Sequence, residues 1–140
     1  LPEILDRTRV HHAAKGWIGT PFVQQGDLRG AGADCVGLVR GLWRELSGVY
    51  VPPPAWRSDW AVAPGEPILR GLCAHLVQVR DACPGTIAVF RVGRKRAAHL
   101  GILTERGVIH AHDALGVIEI GRGGLPAPGS LWAFPQVAGA

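Results

Sequence analysis

Cys35 is the residue of this 140-residue chain best suited to nucleophilic chemistry. It follows Gly30-Ala-Gly-Ala-Asp34 and leads into an apolar stripe at Val36, Val39, Leu42, Trp43 and Leu46, which has helical period. The glycines suit a loop and Asp34 an N-cap, so the spacing predicts a helix that begins at the thiol. In a first turn, the unpaired N–H groups and the positive end of the helix dipole favour thiolate over thiol. The same N–H groups can hold a developing oxyanion. A cysteine alone is more often a small buried apolar residue. Histidine elsewhere gives Cys35 its chemical reading, because a nucleophilic thiol needs a base close in space though not in sequence.

His99 opens the run His-Leu-Gly-Ile-Leu, and His110 and His112 lie in Ile-His-Ala-His, where alternation points both to one face of a strand. His11, His12 and His75 fall on helical stretches with no companion of a catalytic type and read as surface or packing residues. If His99 and His110 share one face of a β-hairpin, their odd index sum requires a connecting loop with an even number of residues. A loop over 102–107 sets them opposite, whereas a loop over 104–107 sets them diagonal and turns His112 toward His99 instead. Spacing leaves both arrangements open. The three imidazoles also have the count for a metal site, but then Cys35 would have no role.

The elements that must position these residues follow the same patterns. Val10, Ala13, Ala14, Trp17 and Ile18 share one face of a helix expected over 4–18, ended by Gly19-Thr-Pro21. Residues 22–32 read as a loop, and Ser47-Gly48 closes the Cys35 helix. Gly37 and Gly41 weaken that helix by about 1 kcal/mol each relative to Ala, which implies close packing by another element. Residues 51–65, with four prolines, read as an extended surface connection in which Trp56 and Trp60 either line a groove or pin the loop. Ile68, Leu69, Leu72, Cys73 and Leu76 form a short helical stripe behind Pro67. The period then changes to two over 86–92, 98–104, 108–112, 117–120 and 131–134, giving helices first and an antiparallel sheet afterwards, an α+β order within one domain spanning 1–140.

Composition narrows the class. Hydrophobic residues make up 47% and charged residues 19%, as in a globular chain, and no apolar run of about eighteen residues is available for membrane insertion. The net charge of +4 is scattered apart from Arg91, Arg94, Lys95 and Arg96, which lack interleaved aromatics and read as a solvated hairpin tip. A nucleic acid partner is therefore not expected, while an anionic cell-wall polymer suits the charge. Three cysteines without CxxC spacing argue against a disulfide framework and a structural zinc site, so Cys73 and Cys83 read as structural. The opening Leu-Pro-Glu-Ile-Leu-Asp-Arg has charges where a signal peptide has its apolar core, so cytoplasmic synthesis without a signal peptide is expected.

Asp34-Cys-Val-Gly-Leu-Val39 resembles the Asp-Cys-Ser-Gly-Leu-Val nucleophile motif of the NlpC family of cell-wall cysteine peptidases. His99-Leu-Gly-Ile102 resembles that family's His-Val-Gly-Ile base motif, Ile109-His-Ala111 its third polar segment, and Gly19-Thr-Pro-Phe22 its Gly-Thr-Pro-Tyr stretch. Gln24-Gln-Gly26 and the run from Leu38 to Leu46 are most similar to members encoded in phage and gene-transfer-agent tail modules. The resemblance implies a papain-like fold that hydrolyses the bond between γ-D-glutamyl and a diamino acid in peptidoglycan stem peptides, with no metal or other cofactor. It implies Cys35 as nucleophile, His99 as base and His110 as the group orienting His99, and it implies tail hub or baseplate partners that carry the protein to the periplasmic wall. Phe22 stands where the family has Tyr, so the oxyanion and substrate region is expected to draw on Phe22, Gln24, Gln25 and Asp34, with Gln24 the favoured replacement donor. Thr86 stands where the family has Asp after Pro-Gly, a change expected to concern a turn. An inactive tail plug or adaptor that kept the fold is the competing reading.

Overall fold

The computed structural model describes residues 3–52, 66–93 and 97–136. Helix α1 spans Arg7–Lys15, with the Asp6 carboxylate accepting the Thr8 N–H at 3.0 Å as its N-cap. It is shorter than the 4–18 expected, because the chain turns at Gly16 and again at Gly19, whose φ is 95°. Trp17 remains buried beyond the helix end, but Ile18 is exposed and leaves the stripe. Residues 22–32 are not wholly irregular: β1 (Asp27–Leu28) and β2 (Gly32–Ala33) pair antiparallel.

Helix α2 spans Cys35–Ser47 and ends on Gly48 in the left-handed region, with φ 74°. Leu38, Val39 and Leu42 are fully buried, each stabilising the fold by about 2 kcal/mol. The two glycines answer to close packing, as expected. A Cβ on Gly37 would overlap the Gly26 carbonyl, and one on Gly41 would overlap the Trp17 ring and lie 2.7 Å from the Asp27 carbonyl. Arg40 strengthens the same contact from within: its buried guanidinium meets Asp27 Oδ2 at 3.1 Å, while Arg44 Nη2 donates to the Asp27 carbonyl at 2.6 Å. The segment that precedes Cys35 is thereby clamped to the helix that follows it.

After α3 (Glu66–Cys73) come β3 (Val77–Val79), β4 (Ile87–Val92), β5 (Ala97–Leu103), β6 (Gly107–His112), β7 (Gly116–Gly121) and β8 (Ser130–Ala133). They form one sheet in the order β3-β8-β4-β5-β6-β7, every neighbouring pair antiparallel. Strand β3, only three residues long, was not expected from the sequence. Alternation sorts the strand residues between two cores: Ile87, Val89, Leu100, Ile102, Ile109 and Val117 pack with the helices, and Ala88, Phe90 and Val108 pack with Leu125 and Leu131. Thr86 does occupy a turn, its Oγ1 accepting the Cys83 N–H at 3.1 Å and a bond from Arg7 at 3.2 Å. Trp56 and Trp60 lie outside the described residues, as do Arg94, Lys95 and Arg96.

One register detail shapes the functional region. Strands β5 and β6 pair only at Ile102↔Ile109 and Leu103↔Val108, next to the turn, and thereafter diverge. Residues 97–101 pair with β4 alone and 110–112 with β7 alone.

Candidate active site

Helix α2 packs on both β5 and β6. Cys35 is the first residue of that helix, as its flanking residues predicted. Asp34 holds the helix start with both carboxylate oxygens, Oδ1 accepting the Gly37 N–H at 2.7 Å and Oδ2 the Gln25 N–H at 2.7 Å. The backbone N–H groups of Leu100 on β5, of Val36 and of Cys35 itself lie near the thiol and favour its charged form, and Cys35 as a residue is half-buried. Leu100 is the neighbour of His99, and α2 packs on the strand that carries both.

His99 and His110 meet through their rings. Nε2 of His99 lies 2.8 Å from Nδ1 of His110, with the rings edge to face and their centroids 5.0 Å apart. The Leu103↔Val108 pair makes the connecting loop 104–107, the second of the two arrangements that spacing allowed, so the two histidines are diagonal. Had pairing continued, His112 would have opposed His99. Instead His112 Nδ1 accepts the N–H groups of Ala114 at 3.0 Å and Leu115 at 3.1 Å in the following turn. Two of the three imidazoles are thus bonded to each other and the third to backbone, and among the described residues no group of three or more His, Cys, Asp or Glu is arranged to hold a metal ion.

The electrostatics differ from those read off the sequence. Burial pushes the Cys35 thiol up to about 11, and the nearby Asp34 carboxylate adds to the rise, against smaller lowering by the Leu100, Val36 and Cys35 N–H groups. The helix terminus was expected to favour the thiolate. It does act in that direction, but loss of hydration outweighs it. Burial likewise lowers His99 to about 4, with His110 and His112 adding repulsion that Asp113 partly offsets. His110 is lowered for the same first reason, then by His112. Both Cys35 and His99 are therefore neutral at rest.

Among the other residues singled out, Phe22 is half-buried, bridges Ala33 and packs on the main core. Gln24 and Gln25 are exposed, and Gln25 adopts a left-handed backbone with φ 63°. The contribution of Gln25 that is visible here is its backbone N–H to Asp34. His11 is buried, and His12 and His75 are exposed, in keeping with packing and surface roles. Two groups were missed by the sequence reading: the Leu100 N–H, which carries no residue-type signal, and the Arg40–Asp27 pair, which the thirteen-residue separation hid.

No protein-family model matches the chain, and no curated protein matches it in sequence. Among solved structures, it is similar to the NlpC/p60 domain of the peptidoglycan hydrolase SagA, with a TM-score of 0.60 and 21% identity over 92% of this chain and 99% of that one. The chain has the α+β, papain-like fold of NlpC/p60 domains, its helices packed on an antiparallel sheet.

Proposed function

We propose that this chain is a cysteine peptidase that cleaves stem peptides of the bacterial cell wall. The observation that carries this reading is the His99–His110 bond, made by the strand residue whose neighbour Leu100 brings its N–H near the Cys35 thiol at the start of α2. His99 uses Nε2 on His110, which leaves Nδ1 as the ring nitrogen available to the thiol. In this mechanism Cys35 attacks a peptide carbonyl while its proton passes to His99 Nδ1, and His99 then gives that proton to the leaving amine. The thioester that remains is hydrolysed by water activated through the same nitrogen. Because both groups are neutral at rest, proton transfer accompanies attack and does not precede it. The N–H groups at the start of α2 suit the oxyanion.

The motif resemblance supports the bond between γ-D-glutamyl and a diamino acid as the target. It also supports delivery by a phage-like tail, with hub or baseplate partners, to the periplasmic wall. Incubation with defined muropeptides followed by mass spectrometry tests the activity: the wild type should release the two expected fragments, and Cys35→Ala and His99→Ala should release none. Intact muropeptides after incubation with the wild type would sink the peptidase reading in favour of an adaptor. Detection of the chain in purified tail particles tests the delivery.

A further inference from the structure

His112 has no part in the chemistry proposed above, yet it connects the base side of the site to the nucleophile side. Its Nδ1 accepts two N–H bonds, from Ala114 and Leu115, and so fixes the turn between β6 and β7. The far side of that turn is docked on the segment before Phe22: Gly116, at φ 79°, approaches so closely that a Cβ would lie 2.5 Å from the Thr20 carbonyl, and the Val117 N–H donates to that carbonyl at 2.8 Å. The Gly19 N–H returns a bond to Val117 at 2.9 Å, and the Pro21 carbonyl accepts the Ala33 N–H at 2.9 Å, two residues before Cys35. On its other side, the His112 ring meets His110 edge to face, with centroids 6.2 Å apart.

We propose that His112 is a positioning residue and a pH-sensitive latch: as a neutral imidazole it fixes the 113–115 turn that leads into the Gly116–Val117 contact with Thr20 and backs the His110 ring, and on protonation it releases both. An acceptor nitrogen that gains a proton becomes a donor and loses both N–H bonds. The Asp113 carboxylate, with Oδ1 3.5 Å from the same Nδ1, is there to receive the new N–H. The groups facing His112 are His110 on β6, His99 beyond it on β5 and Asp113 in the turn; the Gly19-Thr-Pro-Phe22 segment contributes no titratable side chain. A charge on His112 opposes any charge on the two histidines, so the released state is also the one in which His99 accepts a proton less readily.

The latch rests on the peptidase reading for its effect on turnover, but not for its effect on the turn. Amide hydrogen exchange of the full chain, read by NMR at Ala114 and Leu115, tests the latter. Protection factors in the wild type should fall about tenfold or more on acidification. They should be lost at every pH in His112→Leu and be retained without pH dependence in His112→Asn, whose side-chain oxygen can accept the same N–H bonds without titrating. With muropeptide as substrate, His112→Leu should lower kcat about tenfold or more near neutral pH with little change in KM, and His112→Asn should restore kcat and move its acid limb to lower pH. Undiminished protection in His112→Leu, or an acid limb in His112→Asn identical to that of the wild type, overturns the proposal. If His112→Leu does not fold, the pH profiles of wild type and His112→Asn decide. Absence of turnover in the wild type alongside the expected exchange behaviour refutes the peptidase and supports the latch.

Discussion

The 2.8 Å bond between His99 Nε2 and His110 Nδ1 runs diagonally across two strands that have already stopped pairing with each other. A neutral imidazole has one donor and one acceptor, so with His99 as donor its Nδ1 is unprotonated, the state a base requires. The same choice places the proton of His110 on Nε2, a buried atom without a partner. An orphaned buried donor costs about 1–3 kcal/mol, so His110 is held in this arrangement at some expense in stability.

Replacing His110 separates these two effects. His110→Asn keeps an acceptor for the His99 N–H but brings two amide donors of its own into the buried place of Nε2, so kcat should stay within about tenfold of wild type with little gain in Tm. His110→Leu should also fold, but kcat should drop about 10²-fold. Steady-state kinetics and calorimetry check both, and equal losses of kcat in the two variants would remove His110 from an orienting role.

The neutral resting thiol has a chemical signature. With Cys35 pushed up to about 11, only about one molecule in 10⁴ carries the thiolate at pH 7. Alkylation of Cys35 by iodoacetamide should therefore rise about tenfold per pH unit up to the region of pH 11. Peptide mapping separates Cys35 from Cys73, which burial raises to a similar value. A rate that plateaus below pH 7 would reveal a thiolate–imidazolium pair at rest.

Stability should fall on both sides of neutrality. His99 titrates near 4 when folded, against an ordinary value of 6.5, so its contribution is complete above pH 6.5 and is lost as pH falls toward 4. That loss amounts to roughly 3 kcal/mol. Cys35 and Cys73 are raised from about 9 to about 11, so their contribution is complete below pH 9 and is lost between those values. Thermal melts across the range should show a plateau near neutral pH, and His99→Gln should flatten the acid side. A wild-type Tm constant from pH 7 to 4 contradicts the burial of His99.

Gly37→Ala and Gly41→Ala should each destabilise the fold although alanine favours helix by about 1 kcal/mol. The new methyl would overlap the Gly26 carbonyl in one case and the Trp17 ring in the other, and overpacking of this kind costs about 1–3 kcal/mol or more. Denaturant titration checks the sign. A gain in stability at either position would mean that the 26–27 segment can retreat freely.

Phe22 can offer only its ring to the site, so a side-chain donor to the oxyanion must come from elsewhere or be missing. Exposed Gln24 is the proposed replacement, and Gln24→Ala should lower kcat by about 10²-fold while leaving stability unchanged, with Phe22→Tyr gaining little. Full activity in both Gln24→Ala and Gln25→Ala, together with a large gain in Phe22→Tyr, would show that no replacement exists.

Long, strongly periodic elements were legible in the sequence: the stripe from Val36 to Leu46 and its Asp34 and Gly48 ends gave α2 to within a residue or two. Two-residue and three-residue strands were not, because β1, β2 and β3 are too short to show alternation and owe their pairing to partners distant in sequence. The thiol was legible in place but not in charge. Residue types report a helix terminus, whereas burial depends on how close β5 comes to it. The pairing of His99 with His110 was narrowed by parity to two loops, and the choice fell to Thr104, whose hydroxyl accepts the Gly107 N–H at 2.9 Å and whose N–H meets the Gly107 carbonyl at 2.9 Å.

That four-residue turn carries a demand unlike those on most surface connections. Exposed turns commonly absorb insertions and deletions at little cost to the fold. Here the parity of 104–107 decides which side of the hairpin His110 occupies, since a shift of one residue moves every later side chain of β6 to the other face. A single inserted residue carried into β6 would turn Ile109 and Ala111 out of the core as it turned His110 away from His99, so this turn ties the stability of the fold to the geometry of the candidate site. Two inserted residues would preserve the parity, and with it both the core face of β6 and the place of His110.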